Sequence, residues 1–224
     1  MYEKYNWRFN EEVTKVFDEH VNKSVPMYQL FHDSIANMSV YFTNVGTNII
    51  DIGTSTGALI NKIKEINQSR KLKYIGIDIE ESMINECNKR YDDIEFKLEN
   101  ALNCSYKNSS VVTCMLSLQF MQKQERVKLI QKIYDEINDD GALFVVEKIK
   151  TDILDIHDIY NDLYYDFKRI NNIDKEILDK NASLRGIMKP ITLKENIELL
   201  NLSGFKKVDI FLKYNNFVGI VAIK

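Results

Sequence analysis

The chain is 224 residues long, 45% apolar and 28% charged, with a net charge of −3. That is the composition of an ordinary globular protein, and it leaves no electrostatic footprint for tight nucleic-acid binding. The opening MYEKYNWRFNEE has no basic end followed by an apolar stretch, so no secretory signal is expected, and the longest nearly apolar run, VVTCMLSLQFM, is far short of the roughly 20 residues that span a bilayer.

Residues 8–22 and 25–43 have the periodicity of two helices. In the second, Ser24 is placed to cap the free N–H groups, and Pro26 suits a first turn, where its missing donor costs nothing. Tyr28, Phe31, Ile35, Met38 and Phe42 recur at helical spacing and make one apolar face. From residue 47 strands and helices alternate: TNIIDI, a helix GALINKIKEI, KYIGID, a helix EESMINECNKRY, DIEFKL, VVTCMLSL, a helix KQERVKLIQKIYDEI, and ALFVVEKI. Short β-branched strands separated by amphipathic helices imply a mainly parallel sheet covered on both faces. Helical stretches follow at 152–170, 174–187 and 192–203, and then KKVDIFLKY and FVGIVAIK read as a closing hairpin whose last strand runs antiparallel.

The expected fold class is therefore α/β, a Rossmann-like sheet of seven strands. We expect one domain over 1–224, with a helical extension over 1–45 and a helical insertion over 151–190, before strand six. Cys87, Cys104 and Cys114 are odd in number and lack paired ligand spacing, so they read as reduced thiols of a cytoplasmic protein, with no metal site.

In open α/β sheets ligands bind beyond the carboxyl ends of the strands, which directs attention to the turn in NIIDIGTSTGAL. A triphosphate loop needs a lysine after its last glycine; Ala58 and Leu59 follow Gly57. A dinucleotide loop wants a glycine where Ser55 stands and another where Ala58 stands, and Asp51 would repel a pyrophosphate. The remaining pattern, D-x-G-x-[GS]-x-G with an acid, Asp78, ending the next strand, suits S-adenosylmethionine. Its ribose hydroxyls meet Asp78, its amino-acid end meets the turn, and its sulfonium tolerates Asp51. An alternative reading of the same residues is a tight strand-to-helix turn with Asp78 as a helix cap.

With those residues located, the chain resembles class I S-adenosylmethionine-dependent methyltransferases. Within them it is similar to the carboxy-S-adenosylmethionine synthase family, which makes the carboxylated cofactor used on wobble uridine of tRNA. The resemblance rests on FDEHVNKSVPMY (17–28), DIGTSTGA (51–58), SLQF (117–120), QKIYDEINDDGAL (131–143), YDFKR (165–169) and NNF (215–217). It implies the seven-stranded methyltransferase sheet, a homodimer, and a bound S-adenosylmethionine, S-adenosylhomocysteine or carboxylated form. The implied cofactor-binding residues are Tyr28, Asp51, Gly53, Thr54, Ser55, Gly57, Asp78, Ile79, Asn100, Ala101, Leu102 and Met115. The chain departs from the family pattern at three of its positions. Ala101 stands where the family's adenine-contacting acid falls, beside Glu99 and Asn100. Met115 replaces an asparagine. Asn181 replaces the arginine that grips the added carboxylate, and Arg185 lies four residues on, one helical turn away.

For the chemistry, Gln119 and Ser117, at the end of strand four, are expected to face the methyl group or the substrate. Gln119 and His32 are the catalytic candidates, His32 as a base near neutral pH. Tyr165, Arg185 and Asn216 are the substrate candidates. The basic run KIKEINQSRKLK (62–73) has no interleaved aromatics and reads as a solvated helix end, so direct nucleic-acid contact is not expected. The first functional expectation is methyl transfer to a small molecule. The alternatives are carboxy-S-adenosylmethionine synthase, with the carboxyl group drawn from prephenate, and a cofactor-binding protein without catalysis.

Overall fold

The computed structural model describes residues 11–170 and 186–224. Its elements run α1 (Glu11–Ser24), α2 (Tyr28–Ser39), β1 (Asn48–Ile52), α3 (Ala58–Ile66), β2 (Lys73–Asp78), α4 (Glu81–Arg90), β3 (Glu95–Leu98) and β4 (Ser109–Met115). After β4 come α5 (Lys123–Glu136), β5 (Ala142–Lys148), α6 (Leu154–Arg169), α7 (Leu193–Leu202), β6 (Lys207–Tyr214) and β7 (Phe217–Ile223). The strands form one seven-stranded sheet in the order β3-β2-β1-β4-β5-β7-β6. The first five are mutually parallel, and β7 runs antiparallel between β5 and β6, as the terminal hairpin required.

Successive strand residues point to opposite faces, so each central strand feeds two cores. Ile49, Val111, Phe144 and Val221 pack with Phe31 and Ile35 of α2 and Ile60 and Ile63 of α3. Their neighbours Ile50, Val112, Val145 and Ile220 pack on the other face with Leu129 and Ile133 of α5 and Leu200 of α7. Burial on both faces explains why β4, β5 and β7 read as apolar runs and not as alternating patterns.

Three boundaries differ from expectation. Helix α1 continues through Ser24 and α2 starts only at Tyr28, so Ser24 ends one helix and does not cap the next. Pro26 disfavours helical backbone at Val25, and Met27 then turns through φ 60 to redirect the chain. Strand β4 stops at Met115 because Leu116 takes φ 56; the apolar residues beyond it form a short 3₁₀ turn over Leu118–Phe120. The helix expected over 174–187 falls mostly outside the described residues, as do Asn181 and Arg185. Among the described residues no helix is long and apolar enough to cross a membrane.

Candidate functional site

A cavity of about 890 Å³ opens at the carboxyl ends of β1, β2, β4 and β5. Its floor is the glycine turn with Asp51, Asp78 and the segment Met115–Ser117. Its roof comes from α1 and α2, which bring Phe17, Tyr28 and His32, and from α6, which brings Tyr164, Tyr165 and Lys168.

The turn is built by left-handed backbone at Gly53 (φ 65), Ser55 (φ 53) and Gly57 (φ 77). A Cβ on Gly53 would lie 2.2 Å from the Ser117 hydroxyl oxygen, so β1 and the end of β4 approach here as only glycine permits. Four contacts hold the turn. The Thr54 N–H donates to the Ile77 carbonyl at 3.0 Å, and the Ser55 N–H to Oδ2 of Asp78 at 2.9 Å. The Cys87 thiol donates to the Ser55 carbonyl at 2.9 Å, and the Thr56 hydroxyl to Oδ1 of Asp18 at 2.6 Å.

Asp78 accepts from the Glu80 N–H through its other oxygen at 3.0 Å. The Ile79 N–H interacts with the same carboxylate, so about one of its four acceptor positions is left for a ligand hydroxyl. The N-cap of α4 is Glu80, not Asp78; Asp78 accepts the N–H of that cap residue and lines the cavity. Burial raises its pKa. Asp51 is fully enclosed and accepts from the Thr113 hydroxyl at 2.6 Å; burial pushes its pKa up to about 6.

The remaining expected cofactor positions gather at the same end. Ile79 is exposed at the rim, and Asn100, Ala101 and Leu102 follow β3. The Asn100 side-chain oxygen accepts from the Leu102 N–H at 2.9 Å, and Asn100 lines the cavity. Tyr106 fixes the loop by donating to the Ala101 carbonyl at 2.7 Å.

The catalytic candidates are both at the cavity, with constrained chemistry. His32 is buried and packs against Tyr28, ring centroids 4.4 Å apart with the planes tilted by 48°; burial and the charge of Lys62 push its pKa down to about 4, so it is neutral at neutral pH and a weak base. Gln119 is buried, with its amide donating to the Leu116 carbonyl at 3.3 Å and accepting from the Lys148 N–H at 3.3 Å. Tyr165 lines the cavity. Asn216 sits in the β6–β7 turn, buried, with a side-chain oxygen that has no partner among the described residues, and it does not line the cavity.

Four site residues escaped the sequence reading. Asp18 reaches the glycine turn from α1. Glu147 on β5, also buried, accepts from the N–H groups of Leu118 and Gln119, each at 2.9 Å; burial pushes its pKa up to about 8. Lys148 and Lys168 project into the cavity from β5 and α6. The available signal was the adjacent Glu147–Lys148 pair at the end of an otherwise apolar strand.

Nucleotide-side geometry of this kind on this sheet order defines a methyltransferase domain of the S-adenosylmethionine-dependent class. The family model described as a methyltransferase domain matches residues 49–141. The chain is similar over 96% of its length to the solved magnesium protoporphyrin IX methyltransferase of Synechocystis, bound to S-adenosylhomocysteine. That match covers 95% of the neighbour at a TM-score of 0.65 and 16% identity, a likeness of fold. Carboxy-S-adenosyl-L-methionine synthase of Staphylococcus epidermidis is 38% identical, with 100% of this chain and 99% of that protein covered. The Nautilia profundicola enzyme of the same name is 33% identical over 97% and 94%. The chain belongs to the carboxy-S-adenosyl-L-methionine synthase family.

Proposed function

We propose that the protein builds a carboxyl group onto S-adenosylmethionine, the activity its relatives are named for. One observation carries this reading: the 38% identity extends over the whole chain, so it includes α1, α2 and α6, which roof the cavity, and not only the sheet. When bound, S-adenosylmethionine supplies an activated methyl carbon. The chain's own residues would hold and enclose it: Asp78 would accept from a ribose hydroxyl, the Gly53–Ser55 backbone would receive the amino-acid end, and Asp51 would face the sulfonium. Tyr28 and His32 close the helical side. A site with a neutral, weakly basic His32 and a tethered Gln119 works by alignment and exclusion of water more than by proton abstraction through a strong side-chain base.

The test is incubation with S-adenosylmethionine and prephenate, followed by mass spectrometry of the nucleoside. The expected product is heavier than the cofactor by one carbon dioxide. Its absence, with a methylated small molecule formed from a metabolite panel, would overturn the reading in favour of methyl transfer. That second reading is supported by Asn181, a neutral amide where the family resemblance implies a carboxylate-gripping arginine.

The same proposal takes all 224 residues as one domain, working as a homodimer in the cytoplasm on small molecules. Leu154, Ile159 and Leu163 of α6 are exposed, which supports self-association, and light scattering would read it. Lys62, Lys64 and Lys73 of the basic run are each paired with a carboxylate, which supports a small-molecule site over a polynucleotide one.

A further inference from the structure

The far wall of the cavity concentrates positive charge. The Lys148 ammonium, at the end of β5, lies 4.0 Å from the Tyr164 ring centroid and 6.0 Å from that of Phe217. The Lys168 ammonium, on α6, lies 5.0 Å from the same Tyr164 ring. Lys168 is the only residue of α6 that is buried outright, on a helix that leaves Leu154, Ile159 and Leu163 in solvent. Among the described residues no oxygen accepts from the Lys148 side chain. Cation–π contact returns less than the desolvation of an ammonium costs, so the aromatic rings do not by themselves account for the buried Lys148 cation. Burial and the neighbouring Lys168 charge push the Lys148 pKa down to about 8, the response of a cation held without a counter-charge.

The wall stands opposite the acids. Asp51 and Asp78 belong to the nucleotide floor at β1 and β2, while Lys148 and Lys168 face the cavity from β5 and α6. A ligand that is cationic or hydroxylated at one end and anionic at the other matches this separation. We propose that Lys148, with Lys168 beside it and Tyr164 as a shared platform, forms the receptor for a carboxylate of the small acid that reacts beside S-adenosylmethionine. The inference rests on the proposed function, because it assigns the acid of that reaction to a place.

The carboxylate has two sources, the donor acid or the carboxyl group carried on the product, and binding separates them. Titrations of the wild type, Lys148→Met and Lys168→Met measure S-adenosylmethionine, carboxylated S-adenosylmethionine, and prephenate added to the protein loaded with S-adenosylhomocysteine, which has no methyl group to react. Both substitutions remove charge and keep an apolar stem, and circular dichroism melts check that the variants are folded. Lys148→Met is expected to weaken prephenate by roughly tenfold or more, the worth of one charge-assisted hydrogen bond, with unchanged affinity for S-adenosylmethionine. Lys148→Arg is expected to retain most of the binding. Weakening confined to the carboxylated cofactor would move the receptor to the product's carboxylate and overturn the donor assignment. Folded variants that bind both anions as the wild type does would overturn the subsite altogether. Failure of the proposed function is a different result: no carboxylated product from the wild type. In that event malonate is the probe, and charge-dependent binding of it at Lys148 still decides the subsite.

Discussion

Thr56 in the glycine turn donates its hydroxyl proton to Asp18 on α1 at 2.6 Å, and Arg90 of α4 holds the other oxygen of the same carboxylate. One acid thus ties the nucleotide floor to the roof helix and to the helix that follows Asp78. Thr56 is buried, so Thr56→Val leaves the shape intact and removes the donor. We expect a loss of about 1 kcal/mol in stability, and of about fivefold in S-adenosylmethionine affinity if the turn and α1 move as a unit. Calorimetric titration together with thermal melts reads both. A stability loss with full affinity would show that α1 is packing and nothing more.

Asp18 also marks the limit of what the residue pattern revealed. The strand-turn-helix at 48–66, the acid ending β2 and the closing hairpin were legible because each is written in neighbouring residues. Apolar runs, glycine positions and a charged residue at a strand end are local signals. Asp18 was not legible as a partner of Thr56, because nothing local distinguishes it from the other acids of α1. Lys148 and Lys168 meet at Tyr164 only when α6 folds back over β5. The early end of β4 was hidden for another reason: Leu116 turns the backbone while Leu118 stays buried, so the run stays apolar through the turn. The resemblance, by contrast, located α1 and α6 as characteristic segments without saying what their side chains touch.

Gly53→Ala should be costly. The added Cβ lies 2.2 Å from Ser117 Oγ, and φ 65 strains any side chain placed there. The combined penalty is expected at about 2 kcal/mol, a fall of roughly 4–8 °C in melting temperature for a chain of this size. Adding Ser117→Ala removes the closest atom and leaves the backbone strain, so the double variant should recover part of the loss. Equal melting temperatures for the single and double variants would mean that Ser117 moves aside freely.

Glu147→Gln tests the hinge between β5 and the 3₁₀ turn. Both carboxylate oxygens accept backbone N–H groups, from Leu118 and Gln119. An amide offers one acceptor and turns an NH₂ toward the second N–H, leaving a buried donor without a partner. The expected cost is about 1–3 kcal/mol. Because Gln119 and Lys148 follow this segment, weaker acid binding should accompany the stability loss, while cofactor affinity changes less. A variant as stable as the wild type would remove Glu147 from the set of residues that position the site.

Asp51 sets a pH dependence that separates S-adenosylmethionine from its demethylated form. Burial holds its pKa at about 6, above the ordinary 3.8, with the Thr113 hydroxyl bond working in the opposite direction. The sign for stability follows from linkage. The folded state binds this proton more tightly than the unfolded chain, so the stabilisation is complete below 3.8 and is lost as the pH rises through about 6. The sign for binding is the reverse. Above that value the carboxylate is ionised and attracts the sulfonium, so S-adenosylmethionine should bind more tightly as the pH rises through it. S-adenosylhomocysteine has a neutral sulfur and should respond far less. Titrating both ligands on either side of the transition, in the wild type and in Asp51→Asn, isolates the contribution. In the variant the two ligands should follow parallel pH profiles. Profiles already parallel in the wild type would place the sulfonium out of reach of Asp51, and with it the orientation of the cofactor assumed throughout the cavity.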